Sequence, residues 1–281
     1  MKEGLWPSDC NRFFPPLLSR FLFPLCAMFL PLVIAGTVAF VAYLTGTLTL
    51  TGALAAAFVG AAALTGGIGW VVMLLFFFVT SNVLSHWRAR ERDRLVGSFL
   101  EKGGRRDAWQ VFANGGVFAI AAILATFADE YTWQAIGIGA IVAATADTWS
   151  TEVGTVLGGT PVDIRSGRQV PPGTSGGITI AGSATAVVAA ILAAIIARTV
   201  HWSTPAFAII SGGLIGSLTD SLLGSTVQER RWCPGCDMMT ERRTHSCGTT
   251  TMIRGGIRGC DNDIVNLLST VAGAVVTWTL S

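Results

Sequence analysis

Charge is what this sequence has least of. Only 13% of its 281 residues are Asp, Glu, Lys or Arg, while 51% are hydrophobic, too little charge to keep a soluble domain of this length in water. That shortage excludes an ordinary soluble enzyme and predicts an all-α, polytopic integral membrane bundle. A disulfide framework is lacking as well. Of six cysteines, Cys10 and Cys26 stand alone, whereas Cys233, Cys236, Cys247 and Cys260 crowd one polar segment, a spacing that points to a metal. There is no Walker-type nucleotide motif and no visible repeat of one half in the other.

Glycine is plentiful, with 33 residues, as expected where membrane helices approach closely. A crossing takes about twenty apolar residues, and on that rule about seven to eight spans are predicted, at roughly 20–44, 47–65, 67–84, 109–127, 132–149, 177–198, 204–225 and 263–280. Pro24 and Pro31 introduce a kink into the first. The spans group as an N-terminal one within 1–46 and a single membrane domain, 47–281. Basic residues concentrate in three linkers, 85–107, 150–176 and 226–262, which fall on one side of the bilayer and are predicted to be cytoplasmic. The Arg-rich stretch WRARERDRLVG reads first as a solvated helix at headgroup level.

Polar groups in membrane spans are costly, so they mark function by default. They gather at the cytoplasmic ends: Gln110 and Asn114 open the fourth span, Asp147, Thr148 and Glu152 close the fifth, Asp220, Ser221 and Gln228 close the seventh, and Asn262, Asp263 and Asn266 open the eighth. Asp147 and Glu152, five apart, do not share a face of a continuing helix. Their joint use predicts an unwinding near 149–151. Carboxylates from different helices, Asp147 with Asp220 or Asp263, suit magnesium, which takes one or two carboxylates plus phosphates and water.

Between them lies VPPGTSGGITIAG. Gly173, Gly176 and Gly177 permit turns, Thr174 and Ser175 can cap a helix beginning near Gly177, and the N–H groups of such a helix start favour phosphate. A plain N-capped loop is the other reading. Arg165 and Arg168 stand nearby as cationic clamps. Farther on, Cys233-x2-Cys236, eight residues and His245-x-Cys247 can form a Cys3His tetrahedral zinc site within 232–248. With four protein ligands such a site is closed and structural; reduced cytosolic thiols are the alternative.

ADTWSTEVG, VPPGTSGG, GSLTDSLLGSTVQ, the CxxC…HxC loop and the closing DNDIVNLL resemble, in that order, the membrane family that includes the chloroplast phytyl-phosphate kinase of tocopherol synthesis and the vertebrate transmembrane protein 19. The resemblance runs from about Gly52 to the C-terminus. It implies an isoprenyl-phosphate kinase at the cytoplasmic membrane face, which uses a nucleoside triphosphate, CTP in the plant case, to turn a prenyl or phytyl monophosphate into the diphosphate. Under that reading Asp147, Glu152, Asp220 and Asp263 are the catalytic carboxylates, and Asp147, Asp220 and Asp263 hold magnesium. Gly173, Thr174, Ser175, Gly176, Gly177, Gln110, Asn114, Arg165, Arg168, Ser221, Gln228, Asn262 and Asn266 contact nucleotide and phosphate. The expected partners are the bilayer, a prenyl monophosphate and the nucleotide, with no nucleic acid. A lipid-phosphate cytidylyltransferase would use the same groups and release pyrophosphate. A lipid or small-molecule transporter would suit the glycine-rich spans, but transporters place their sites near the midplane between repeated halves.

Overall fold

A computed structural model describes residues 32–96 and 104–281. Expectations that fall on Cys10, Cys26, Pro24 and Pro31, and on 97–103 of the first basic linker, lie outside the described residues. The helices are α1 (Leu32–Leu44), α2 (Leu50–Gly66), α3 (Ile68–His86), α4 (Ala89–Val96), α5 (Ala108–Leu124), α6 (Glu130–Leu157), α7 (Ile180–Thr199), α8 (Ala206–Thr226) and α9 (Asn262–Thr279). Short polar side chains start most of them. Thr49, Asp107, Asp129, Thr179 and Asp261 each accept a first-turn N–H, of α2, α5, α6, α7 and α9 respectively, satisfying donors that no helical carbonyl reaches.

The axis of the bundle is α6, which packs against α3, α5, α7, α8 and α9 and is buried almost without break from Ala135 to Ala146. Its contacts with α8 and α9 run through small residues. A Cβ added at Gly216 would run into Ala143, and one at Gly273 would stand 2.6 Å from the same side chain. Close backbone approach of this kind holds apolar helices together where no hydrophobic drive separates them from lipid. At the far end, buried Trp70 packs against Phe118 and Trp202, with ring centroids 5.1 Å apart in each pair. Large apolar side chains such as Leu54, Val83, Ile180 and Phe207 face outward and are exposed.

Several expectations change in the structure. Among the described residues, Ile68–His86, Ile180–Thr199 and Ala206–Thr226 are both long and apolar enough to cross a membrane; Leu32–Leu44, Leu50–Gly66 and Ala108–Leu124 are apolar but shorter. The chain is mostly helical, not wholly so. Strands β1 (Val162–Asp163) and β2 (Gly177–Ile178) pair antiparallel, and β3 (Arg230–Cys233), β4 (Met238–Thr240) and β5 (Met252–Gly255) form a second antiparallel sheet in the order β4-β3-β5. The unwinding near 149–151 does not occur, because α6 continues to Leu157. Nor does a helix begin at Gly177. That residue is in β2, and Thr179, not Thr174 or Ser175, caps α7.

Candidate functional site

The ends of α3, α6 and α8 and the starts of α5, α7 and α9 surround a cavity of about 640 Å³. Asp147 on α6, Asp220 on α8 and Asp263 at the start of α9 all line it, with Glu152 five residues beyond Asp147. A continuous helix can present both Asp147 and Glu152 because the cavity wraps around a wide arc of α6. Asp220 lies within electrostatic range of Asp147 and Glu241, and its Oδ2 is buried with no hydrogen-bond partner. Gln110, Asn114, Ser221, Gln228, Asn262 and Asn266 also face this space. Two of these already have local work: Gln110 Oε1 accepts from Asp107 N in a reciprocal cap, and Asn114 Nδ2 donates to Gln110 O.

Gly173, Thr174, Ser175, Gly176 and Gly177 line the cavity as a turn entering β2. Thr174 Oγ1 donates to Pro171 O at 2.7 Å, and Gly177 N to Thr174 O at 2.9 Å. Gly176 has φ +83°, and a side chain there would collide with Ser225 of α8, so only glycine fits. Ser225 in turn donates to Asp163 Oδ2 at 2.5 Å, and Ser166 donates to Oδ1 through both its hydroxyl and its N–H at 2.8 Å. These bonds, that from Ser225 foremost, hold the Asp163 carboxyl down to about 2. The turn is thereby fastened to α8 through β1.

The cations at the cavity are not the ones the spacing suggested. Arg165 and Arg168 are exposed and absent from its lining, since the β1–β2 connection carries them outward. Arg92, Arg106, Arg242 and Arg243 line it instead. Arg92 Nη1 donates to Glu152 Oε2 at 2.8 Å and Oε1 at 3.0 Å, and Ser85 Oγ donates to Glu152 Oε1 at 2.6 Å. Burial pulls the Arg92 pKa down, but the pair with Glu152 more than offsets it and the net direction is upward. Sequence reasoning took the stretch containing Arg92 as a solvated helix. That is right for α4 as a whole, whose Arg90, Asp93 and Arg94 are exposed. The 3.6-residue period turns Arg92 and Val96, four apart, inward. Glu241, also unforeseen, accepts from Ser175 Oγ and Gln228 Nε2, both at 2.9 Å.

Beside the cavity, the ligand atoms of Cys233, Cys236, His245 and Cys247 all lie within 4.8 Å of one another. Cys233 Sγ and Cys247 Sγ are 3.6 Å apart and His245 Nδ1 is 3.3 Å from Cys247 Sγ. Tetrahedral zinc with Zn–S bonds of about 2.3 Å separates its sulfurs by roughly 3.8 Å, so the cluster has the size of such a site. The short His245-x-Cys247 gap is accommodated by a turn in which Gly248 N bonds His245 O, with Gly248 at φ +81°. Hydrogen bonds from Thr249 and His245 push the Cys247 thiol down to about 5, toward the thiolate that binds metal. Among the described residues this is the one converging group of three or more Cys, His, Asp or Glu. Asp147, Asp220 and Asp263 do not close on a point by themselves.

A family model described as integral membrane protein DUF92 matches residues 33–274. The chain belongs to this DUF92 family. The match reaches nearer the N-terminus than Gly52, where the motif resemblance starts. Among curated relatives, Protein PGR of Arabidopsis thaliana is 28% identical over 274 residues, covering 87% of this chain and 93% of that one. An uncharacterized membrane protein of Methanocaldococcus jannaschii is 29% identical over 217 residues, covering 75% of each chain. One from Synechocystis is 26% identical over 168 residues, covering 58% of this chain and 64% of that one. No solved structure matches. As a DUF92 integral membrane protein, the chain turns the apolar side chains on its outer helical faces toward lipid.

Proposed function

We propose that this DUF92 protein transfers the terminal phosphoryl group of a nucleoside triphosphate, CTP in the first instance, to a prenyl or phytyl monophosphate at the cytoplasmic membrane face. The observation that carries the reading is the buried Asp220 Oδ2, which has no protein partner, beside Asp147 in a cavity shared with the glycine turn. A buried carboxylate oxygen left without a donor costs on the order of 1–3 kcal/mol or more, and a cation removes that cost. Asp147 and Asp220, with Asp263 across the cavity, would hold magnesium. When bound, the ion would offset the negative charge of the phosphates.

The chain's own residues then position two anions. An oxygen of the acceptor monophosphate forms a bond to the γ-phosphorus, the bond from that phosphorus to the β–γ bridging oxygen breaks, and its electron pair leaves on the nucleoside diphosphate. The acceptor oxygen is already ionised near neutral pH, so no general base is required. Orientation is therefore the main task. The turn Gly173–Gly177, with Ser221, Gln228, Asn262 and Asn266, borders the nucleotide phosphates, and Arg242 and Arg243 supply positive charge in place of Arg165 and Arg168. Glu152 is best spent holding Arg92. The same reading takes α1–α3 and α5–α9 as crossings with their cavity ends cytoplasmic, and zinc as a structural ion in the Cys233 cluster.

Purified protein supplied with a prenyl monophosphate and CTP labelled at either the α or the γ position tests the reaction. Transfer of γ label alone into a prenyl diphosphate supports it. Appearance of α label in the lipid would make the protein a cytidylyltransferase, and uptake into proteoliposomes with no lipid product would make it a transporter.

A further inference from the structure

The corner of the cavity formed by α3, α4 and the start of α5 has a buried excess of positive charge. Glu152, its buried carboxylate, is claimed by Arg92 and Ser85. Among the described residues, Glu91 of α4 pairs with Arg88, and Asp93 is exposed and reaches Arg92 at 3.4 Å. Arg106, which also lines the cavity, has one side-chain hydrogen bond, from Nη2 to Ser85 Oγ at 3.4 Å, and no carboxylate at ion-pair distance among the described residues. Arg92 Nε is likewise buried without a partner. Two guanidinium groups thus share one buried carboxylate, and donors remain unspent.

Arg106 is also held in place. Its N–H donates to Thr47 O and its carbonyl accepts from Thr49 N, both at 3.0 Å, in a bridge to Leu48 at the start of α2. Gly52 lies so close to that carbonyl that a side chain there would run into it. Burial pulls the Arg106 pKa down, and the neighbouring Arg92 adds to this against the opposing pull of Glu152. A cation kept rigid, desolvated and without its own anion is arranged to receive one. The planar fork of arginine suits the paired oxygens of a phosphate.

The surroundings indicate which phosphate. The three helices that lead to this corner carry exposed apolar side chains on their outer faces: Leu50 and Leu54 on α2, Val83 on α3, and Trp109 and Phe112 on α5. The opposite wall, formed by the 226–262 segment, brings Gln228, Glu229, Glu241, Arg242 and Arg243. Apolar walls suit a hydrocarbon tail, and the polar wall suits a nucleotide.

We propose that Arg106, with Ser85 and Arg92, is the binding site for the phosphate of the lipid monophosphate, whose chain lies along the outer faces of α2, α3 and α5. This deepens the kinase reading and rests on it for the word acceptor, but the binding itself does not require turnover. The test is calorimetric titration of the full chain in detergent with farnesyl monophosphate, and separately with inorganic phosphate, in the absence of nucleotide. Arg106→Gln is expected to weaken farnesyl monophosphate binding at least tenfold and Arg106→Lys by less, because charge is kept and the fork is lost. Arg254→Gln, which removes an equal charge from exposed β5, should leave binding unchanged. Equal affinity in wild type and Arg106→Gln would overturn the proposal, as would inorganic phosphate binding as tightly as the lipid, which would assign the corner to a free anion. Should Arg106→Gln fail to fold, Arg106→Lys carries the test, and wild-type affinity in that variant together with Ser85→Ala overturns it. Arg106-dependent lipid binding without product from any nucleotide would sink the kinase reading and leave this site standing.

Discussion

Asp220 and Glu152 are both carboxylates at the same cavity, yet their surroundings divide them. Glu152 has two oxygens engaged by Arg92 and Ser85, whereas Asp220 has one with no protein donor. Asp220→Asn and Asp147→Asn should each leave a folded, membrane-inserted protein with turnover reduced at least a hundredfold; near-normal rates in both would end the carboxylate–magnesium assignment. Replacing Glu152 should act differently, lowering thermal stability by freeing Arg92, since removing one partner of a largely buried ion pair costs about 3–5 kcal/mol. Asp163 gives a third prediction. Its folded pKa of about 2 lies below the ordinary carboxylate value of about 3.9. Folding thus favours its charged form. That contribution is complete above pH about 4 and is lost as pH falls through about 2. Melting temperatures measured down this range should drop in the wild type, and Asp163→Asn should flatten that part of the slope.

At the scale of elements, what could be read in advance was mainly what lies within one helix or one motif. Acids and amides at the ends of apolar runs, such as Asp147, Asp220 and Asn266, were visible because membrane spans tolerate few of them. The Cys/His cluster was visible because Cys233 and Cys236 carry their spacing with them. Hidden were the contacts that depend on how helices meet. Nothing local pairs Arg92 with a carboxylate sixty residues away, and nothing near Arg106 announces the bridge to Leu48. The β1–β2 pair also escaped notice, because two-residue strands carry too little alternation to detect; with it went the outward placement of Arg165 and Arg168. The sheet β4-β3-β5 supports a prediction of its own. Cys233→Ser, or chelation of wild type, should release one equivalent of zinc and lower the melting temperature. Because Glu241 follows β4 directly and bonds both Ser175 and Gln228, nucleotide affinity should fall with it. Zinc analysis that finds no metal in pure protein would remove this claim.

For the whole molecule, the length of α6 acts as a ruler. At 1.5 Å per residue its 28 residues span about 42 Å, longer than a hydrocarbon core of about 30 Å. Counted from Glu130 at the start of α6, Asp147 stands about 26 Å along the axis and Glu152 about 33 Å. If Glu130 marks one edge of the hydrocarbon core, Asp147 would fall just inside the other edge and Glu152 just outside it. A lipid phosphate would need neither to be drawn down into the bilayer nor lifted out of it. The lipid would reach the cavity by lateral diffusion at its resting depth, while the nucleotide arrives from water. Lengthening the acyl chains of the host bilayer by a few ångströms of thickness should accordingly shift the apparent KM for the lipid while leaving that for the nucleotide in place.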